Sequence, residues 1–138
     1  MTIYKEMKYH SGRRLIETLA EGEVGEYKWK VVSVGTHPCG YVAVPENHPF
    51  YEKDCWEIDD RIGVHGGLSF SGRIEDSNDF WFGWDYAHCE DFLPMYVGCG
   101  GKRWTTQEIV EECLNVIQQF RSYEGDKNDI NTDQMVSA

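Results

Sequence analysis

Residues 61–91 read RIGVHGGLSFSGRIEDSNDFWFGWDYAHCED. Two apolar-rich arms, 62–70 and 80–88, flank a tip of turn and charged residues, the pattern of a β-hairpin. Bulky residues fall on even positions in both arms: Ile62, Val64, Leu68 and Phe70, then Phe80, Phe82, Trp84 and Tyr86. Side chains alternate faces along a strand, so the even positions share a buried face. With the tip centred on Glu75, Phe70 sits opposite Phe80, Leu68 opposite Phe82 and Val64 opposite Tyr86. A slip by one residue would turn a whole apolar row to the other side. On the outer face the same register sets His65 opposite Asp85 and Gly67 opposite Gly83, with Trp81 beside Ser69. A His–carboxylate pair then borders a glycine floor walled by an indole.

Outward from this hairpin, 26–35 (EYKWKVVSVG) alternates Tyr27, Trp29 and Val31 against Lys28, Lys30 and Val32, as a half-buried strand does. Thr36 to Gly40 reads as a turn, and Tyr41 to Val44 as the return strand ended by Pro45, which cannot donate to a ladder. In the connection 46–60, Phe50, Tyr51 and Trp56 are expected to pin the chain to the core. On the C-terminal side, Thr105 and Glu108 have the spacing of a capping box. Ile109, Val110, Cys113, Leu114, Ile117 and Phe120 form one stripe at helical spacing over 105–123. Arg13 to Ala20 is expected to make two helical turns, while 1–9 leaves strand and helix open. The sequence shows no internal repeat and no interdomain linker.

These elements predict an α+β fold. A single domain over 1–124 carries a mostly antiparallel sheet of four or five strands, packed on one face by the C-terminal helix. Residues 125–138 read as a mobile tail. At 138 residues the chain is one domain by length and large enough for a core without staples. Aromatics at 14% favour a β-rich interior. A formal net charge of −11 repels phosphate backbones and argues against direct nucleic-acid binding. The five cysteines, at 39, 55, 89, 99 and 113, include no CxxC. With no apolar leader and no span of ~20 apolar residues, the expectation is a cytoplasmic protein with reduced thiols and no membrane contact.

The blocks Gly40 to Pro45 (GYVAVP), His48-Pro49, Val64 to Gly72 (VHGGLSFSG) and Trp81 to His88 (WFGWDYAH) occur in that order. In these blocks, over roughly 39–121, the chain resembles a group of short uncharacterised proteins encoded mostly by bacteriophages and prophage-bearing bacteria. The resemblance supplies no reaction. It implies a phage setting, in the host cytoplasm, where small proteins act on host immune signals or nucleases.

The residues themselves offer several chemistries. An imidazole beside a carboxylate, His65 with Asp85, suits a general base or a fixed donor gripping an anion, and equally a structural hydrogen bond across a sheet. His88, Glu90 and Asp91, with those two, have the ligand chemistry for a divalent metal. The spacing D-x-x-H-x-x-D over 85–91 matches no metal motif, and a polar strand end is the commoner explanation, so no metal and no cofactor are expected. Gly66 and Gly67, with Ser69 and Trp81, would admit a ligand close to the backbone. His88 beside Cys89 makes a poor dyad, since neighbours on a strand point apart.

The leading expectation is a counter-defence protein that sequesters a small polar, nucleotide-like ligand through His65, Gly66, Gly67, Ser69, Trp81, Asp85 and His88. Arg61, Arg73, Lys102 or Arg103 would then supply local positive charge. The alternatives are a small hydrolase using His65, Asp85 and His88, metal-assisted or not, and an acidic inhibitor of a host nucleic-acid enzyme. A homo-oligomer and a host protein partner are left open.

Overall fold

The computed structural model describes residues 3–10, 16–74, 77–96 and 100–125. Five strands form one sheet: β1 (Glu17–Val24), β2 (Tyr27–Ser33), β3 (Pro38–Val44), β4 (Phe70–Gly72) and β5 (Phe80–Asp85). Their order is β1-β2-β3-β5-β4, and every neighbouring pair is antiparallel. A four-residue helix, α1 (Cys55–Ile58), lies in the connection to β4, and α2 (Thr106–Ser122) closes the fold. The α+β architecture read from the sequence is the one observed.

α2 starts where the capping box places it. Thr105 Oγ1 accepts the Glu108 N–H at 3.1 Å, and the Glu108 carboxylate accepts the Thr105 N–H at 2.9 Å. Its apolar stripe covers the face of the sheet built from Tyr27, Trp29 and Val31 of β2, Val42 and Val44 of β3, and Phe80, Phe82 and Trp84 of β5. Ile109, Val110, Cys113, Ile117 and Phe120 are buried as expected, and the stripe differs at one position. Val116 is fully buried, whereas Leu114 is 39% exposed at the stripe's margin.

Two glycines let large rings lie flat across the sheet. A β-carbon on Gly40 would stand 2.5 Å from the Trp84 indole, its cross-strand partner, and one on Gly83 would stand 2.6 Å from the Tyr41 ring.

Several expectations are corrected. Residues 17–24 form the edge strand β1 rather than the end of a helix; pairing with β2 along its whole length overrides local helix preference. Residues 11–15 of that expected helix lie outside the described residues. Trp56 is 75% exposed and pins nothing, while Phe50 is buried as expected. His48 does the anchoring instead: its Nδ1 accepts the Phe50 N–H at 3.0 Å and its Nε2–H donates to the Phe120 carbonyl at 2.7 Å. The expected tail, apart from Gly125, lies outside the described residues.

The central hairpin keeps its second arm and loses most of its first. β5 spans Phe80–Asp85 with its even residues on the core side. Of 62–70 only Phe70 enters a strand. The register also differs: Phe70 pairs with Gly83, not Phe80, so its ring stands on the sheet face away from α2, against Tyr41 at 5.7 Å. Ile62 and Leu68 still reach the core, but from a loop.

Candidate functional site

That loop builds the site. Gly66 and Gly67 take φ of 70° and 84°, a region where glycine alone is unstrained, and Gly67 N–H donates to the Val64 carbonyl at 2.9 Å. The resulting turn is fixed by Asp59, whose Oδ1 accepts the Leu68 N–H at 2.7 Å. Upstream of it the loop runs along α2. Gly63 exchanges two 2.7 Å hydrogen bonds with the Gln119 side chain, and the His65 N–H donates to Glu112 Oε1 at 3.1 Å. His65 is thereby held on the helix side of the sheet, contrary to the expected outer face.

The partner of His65 is Asp91, not Asp85. His65 Nε2 lies 2.8 Å from Asp91 Oδ2. The His65 ring stacks on Tyr86, with centroids 4.5 Å and planes 13° apart, and meets the Trp104 ring edge-on at 5.0 Å. Asp91 is held from three sides. Its Oδ1 accepts the Trp104 Nε1–H at 2.8 Å, and its Oδ2 accepts both the His65 Nε2–H and the His88 backbone N–H, the latter at 2.9 Å. Burial pushes this carboxyl up, but the hydrogen bonds from His65, His88 and Trp104 outweigh burial and leave it below its ordinary value. Asp91 is therefore ionised, and His65 carries its shared proton on Nε2.

Asp85 belongs to the neighbouring imidazole. Its Oδ1 accepts the Ala87 N–H at 3.1 Å, which bends the chain as β5 ends and breaks the alternation assumed for 86–88. His88 swings back beside His65, with ring centroids 5.4 Å apart, and its Nε2 lies 3.4 Å from Asp85 Oδ1. The ring presses on bare backbone: a β-carbon on Gly66 would stand 2.0 Å from His88 Nε2. Ser69 Oγ donates to Asp85 Oδ2 at 3.3 Å.

Of the residues singled out in the sequence, His65, Gly66 and His88 meet in one place, with Asp85 and Ser69 at its margin. Gly67 sits behind them, against Asp59. Trp81 does not join. It is 3% exposed on the opposite face of the sheet, with the Lys30 ammonium 5.5 Å from its ring. Of the expected cations, Lys102 stands beside the site, 3.9 Å from the Trp104 ring and 2.8 Å from Glu108. Arg103 stacks on Phe92, Arg73 pairs with Glu52, and Arg61 lies over Phe50.

Sequence reasoning missed Asp91 as the central carboxylate, together with Trp104, Tyr86 and Glu112. The available signal was the turn over 88–91, in which the Asp91 N–H donates to the His88 carbonyl at 2.9 Å and returns the Asp91 side chain under its own loop. One ligand atom from each of His65, His88 and Asp91 lies within 4.8 Å of the other two. In comparisons with known proteins, no family model, no curated protein and no solved structure matches this chain.

Proposed function

We propose that this protein is a small hydrolase whose chemistry is carried out at His65, Asp91 and His88. The observation that carries the reading is the clamped His65–Asp91 pair: an imidazole stacked on Tyr86 and met edge-on by Trp104, with Nε2 at 2.8 Å from a buried carboxylate. A carboxylate so placed fixes the tautomer and stabilises the imidazolium that forms when the other ring nitrogen takes a proton.

In the reaction, His65 accepts the proton of a water whose oxygen bonds to the electrophilic carbon or phosphorus of the substrate. The leaving oxygen departs with the bonding electrons and takes a proton from His88 in its protonated form. Solvent then restores both imidazoles. His88 suits the donor's place because its side chain is 42% exposed, against 25% for His65.

The expectation of a sequestered nucleotide drew on one face uniting His65, Gly67, Trp81 and Asp85. With His65 on the helix side and Trp81 buried on the other, no one face unites those residues. The resemblance to phage proteins is compatible with a hydrolase that removes a host metabolite or signal.

Hydrolysis of activated carboxylic and phosphoric esters tests the proposal. His65→Gln and Asp91→Asn should lower kcat by about 10²–10⁴ with the circular dichroism spectrum retained, the range general acid–base catalysis supplies. Trp81→Phe should leave it unchanged. A wild-type protein inert towards both ester classes, or a fully active His65→Gln protein, would overturn it.

A further inference from the structure

We infer that the same three residues form a binding site for a divalent transition-metal ion with borderline-soft preferences, such as Zn²⁺. The inference goes beyond the hydrolase reading, since an ion would make ligands of His65 and His88 in place of base and acid, and it stands on geometry that does not depend on turnover.

The Asp91 side chain is only 2% exposed, and both its oxygens act as acceptors, Oδ1 from the Trp104 Nε1–H and Oδ2 from the His88 N–H and His65, the pattern of a carboxylate. Its partners are two ring N–H groups and a backbone N–H, and among the described residues no lysine or arginine pairs with it. A buried carboxylate needs a compensating charge. An imidazolium at His65 would supply one unit. A dication would supply two, in surroundings that also hold Asp85 at 3.4 Å from His88 and Glu112 at 3.1 Å from the His65 N–H.

Geometry agrees. Ligands of a tetrahedral ion at about 2.0–2.2 Å stand roughly 3.3–3.6 Å from one another. The His65–Asp91 contact is 2.8 Å and the remaining ligand separations fall within 4.8 Å, so adjustments of about an ångström in the loops 63–67 and 86–91 would seat the ion. Asp91 already has an outer-sphere partner in Trp104 Nε1, the arrangement that orients ligands in metal centres. Asp85 Oδ1, 3.4 Å from His88 Nε2, adds a second carboxylate at the edge of the site.

Donor chemistry selects the metal. Two imidazoles and one carboxylate form the three-ligand set of catalytic zinc sites and suit other late first-row ions. A single protein oxygen is a poor host for Mg²⁺ or Ca²⁺, which take mostly oxygen ligands. Three ligands leave coordination positions for substrate or solvent. With the ion bound, activation of water becomes Lewis-acid chemistry and the His65 lone pair is spent on the ion.

Equilibrium dialysis of the intact chain against Zn²⁺, Co²⁺ and Mg²⁺ tests this, with Co²⁺ also read by visible d–d absorption. We expect one Zn²⁺ or Co²⁺ per chain and no Mg²⁺. His88→Ala, at a partly exposed position that the fold can spare, should weaken Zn²⁺ binding by more than about 10–100-fold, the loss an outer-sphere change alone produces. Asp91→Asn should do the same, and Cys89→Ser should leave binding intact. Binding below one ion per chain in the wild type, binding unaffected by His88→Ala, or binding lost in Cys89→Ser would each overturn the site. The two readings separate cleanly: hydrolysis that survives chelation removes the metal and keeps the hydrolase, and stoichiometric zinc without hydrolysis does the reverse.

Discussion

The two arms of 61–91 have similar composition and opposite fates. Phe80–Asp85 is a central strand, paired on both sides, and its even residues point to the core as alternation requires. The arm 62–70 shows the same alternation in sequence but leaves the sheet, because Gly66 and Gly67 adopt positive φ and turn the chain along α2. Period-two patterning specifies facing only where the backbone stays extended. A glycine pair inside such a pattern marks the place where it fails, and here the failure carries the histidine of the site.

The largest effect should come from the arm that obeys the pattern. Phe82 is fully buried between Val42 and Ser71 on neighbouring strands. Phe82→Ala should cost about 3–5 kcal/mol in urea unfolding. A cost under about 1 kcal/mol would mean that β5 is not the core strand described.

Gly66→Ala attacks the arm that departs from it. The new methyl would meet the His88 ring at 2.0 Å in a backbone conformation that alanine avoids. Loss of zinc binding and of hydrolysis is expected, with about 1–3 kcal/mol of destabilisation from the strained φ. An active Gly66→Ala protein would place the chemistry away from His88.

His65→Ala sharpens the comparison further. On an open sheet face this change would cost under about 1 kcal/mol. In the observed setting it strips a hydrogen bond from a buried carboxylate, so about 1–3 kcal/mol is expected by chemical denaturation. The smaller value would return His65 to the exposed face.

The smallest effect lies far from the site. Lys28 Nζ bonds Asp79 Oδ2 at 2.8 Å, and this contact with Lys28, aided by Ser77, holds the Asp79 carboxyl below its ordinary value. A carboxyl depressed in the folded state stabilises above its unfolded pKa and loses that contribution as pH falls through the folded value. For so exposed a pair the contribution is small and is screened by salt. Asp79→Asn should therefore lower the Tm slightly at neutral pH and leave it unchanged under strongly acidic conditions.

What was legible in the sequence follows the same division. The capping box at Thr105 and Glu108, the alternation of β2 and the apolar face of β5 are local patterns, and each formed the element it specified. Two imidazoles and a carboxylate near 65–91 were also legible as a candidate site. The pairing was not. Asp91 reaches His65 through a turn at 88–91 and a tryptophan from the loop before α2, contacts between segments that no spacing rule connects. Asp85, opposite His65 in the idealised hairpin, was drawn off by its own Asx turn to Ala87.

A crystal structure of the protein grown with Zn²⁺, with anomalous difference density collected at the zinc edge, locates the ion if the site is real. One strong peak is expected at about 2.0–2.2 Å from a nitrogen of His65, a nitrogen of His88 and an oxygen of Asp91, on the α2 side of the sheet. A map without that peak, a peak on cysteine sulfur instead, or His65 paired with Asp85 across the opposite face would contradict it.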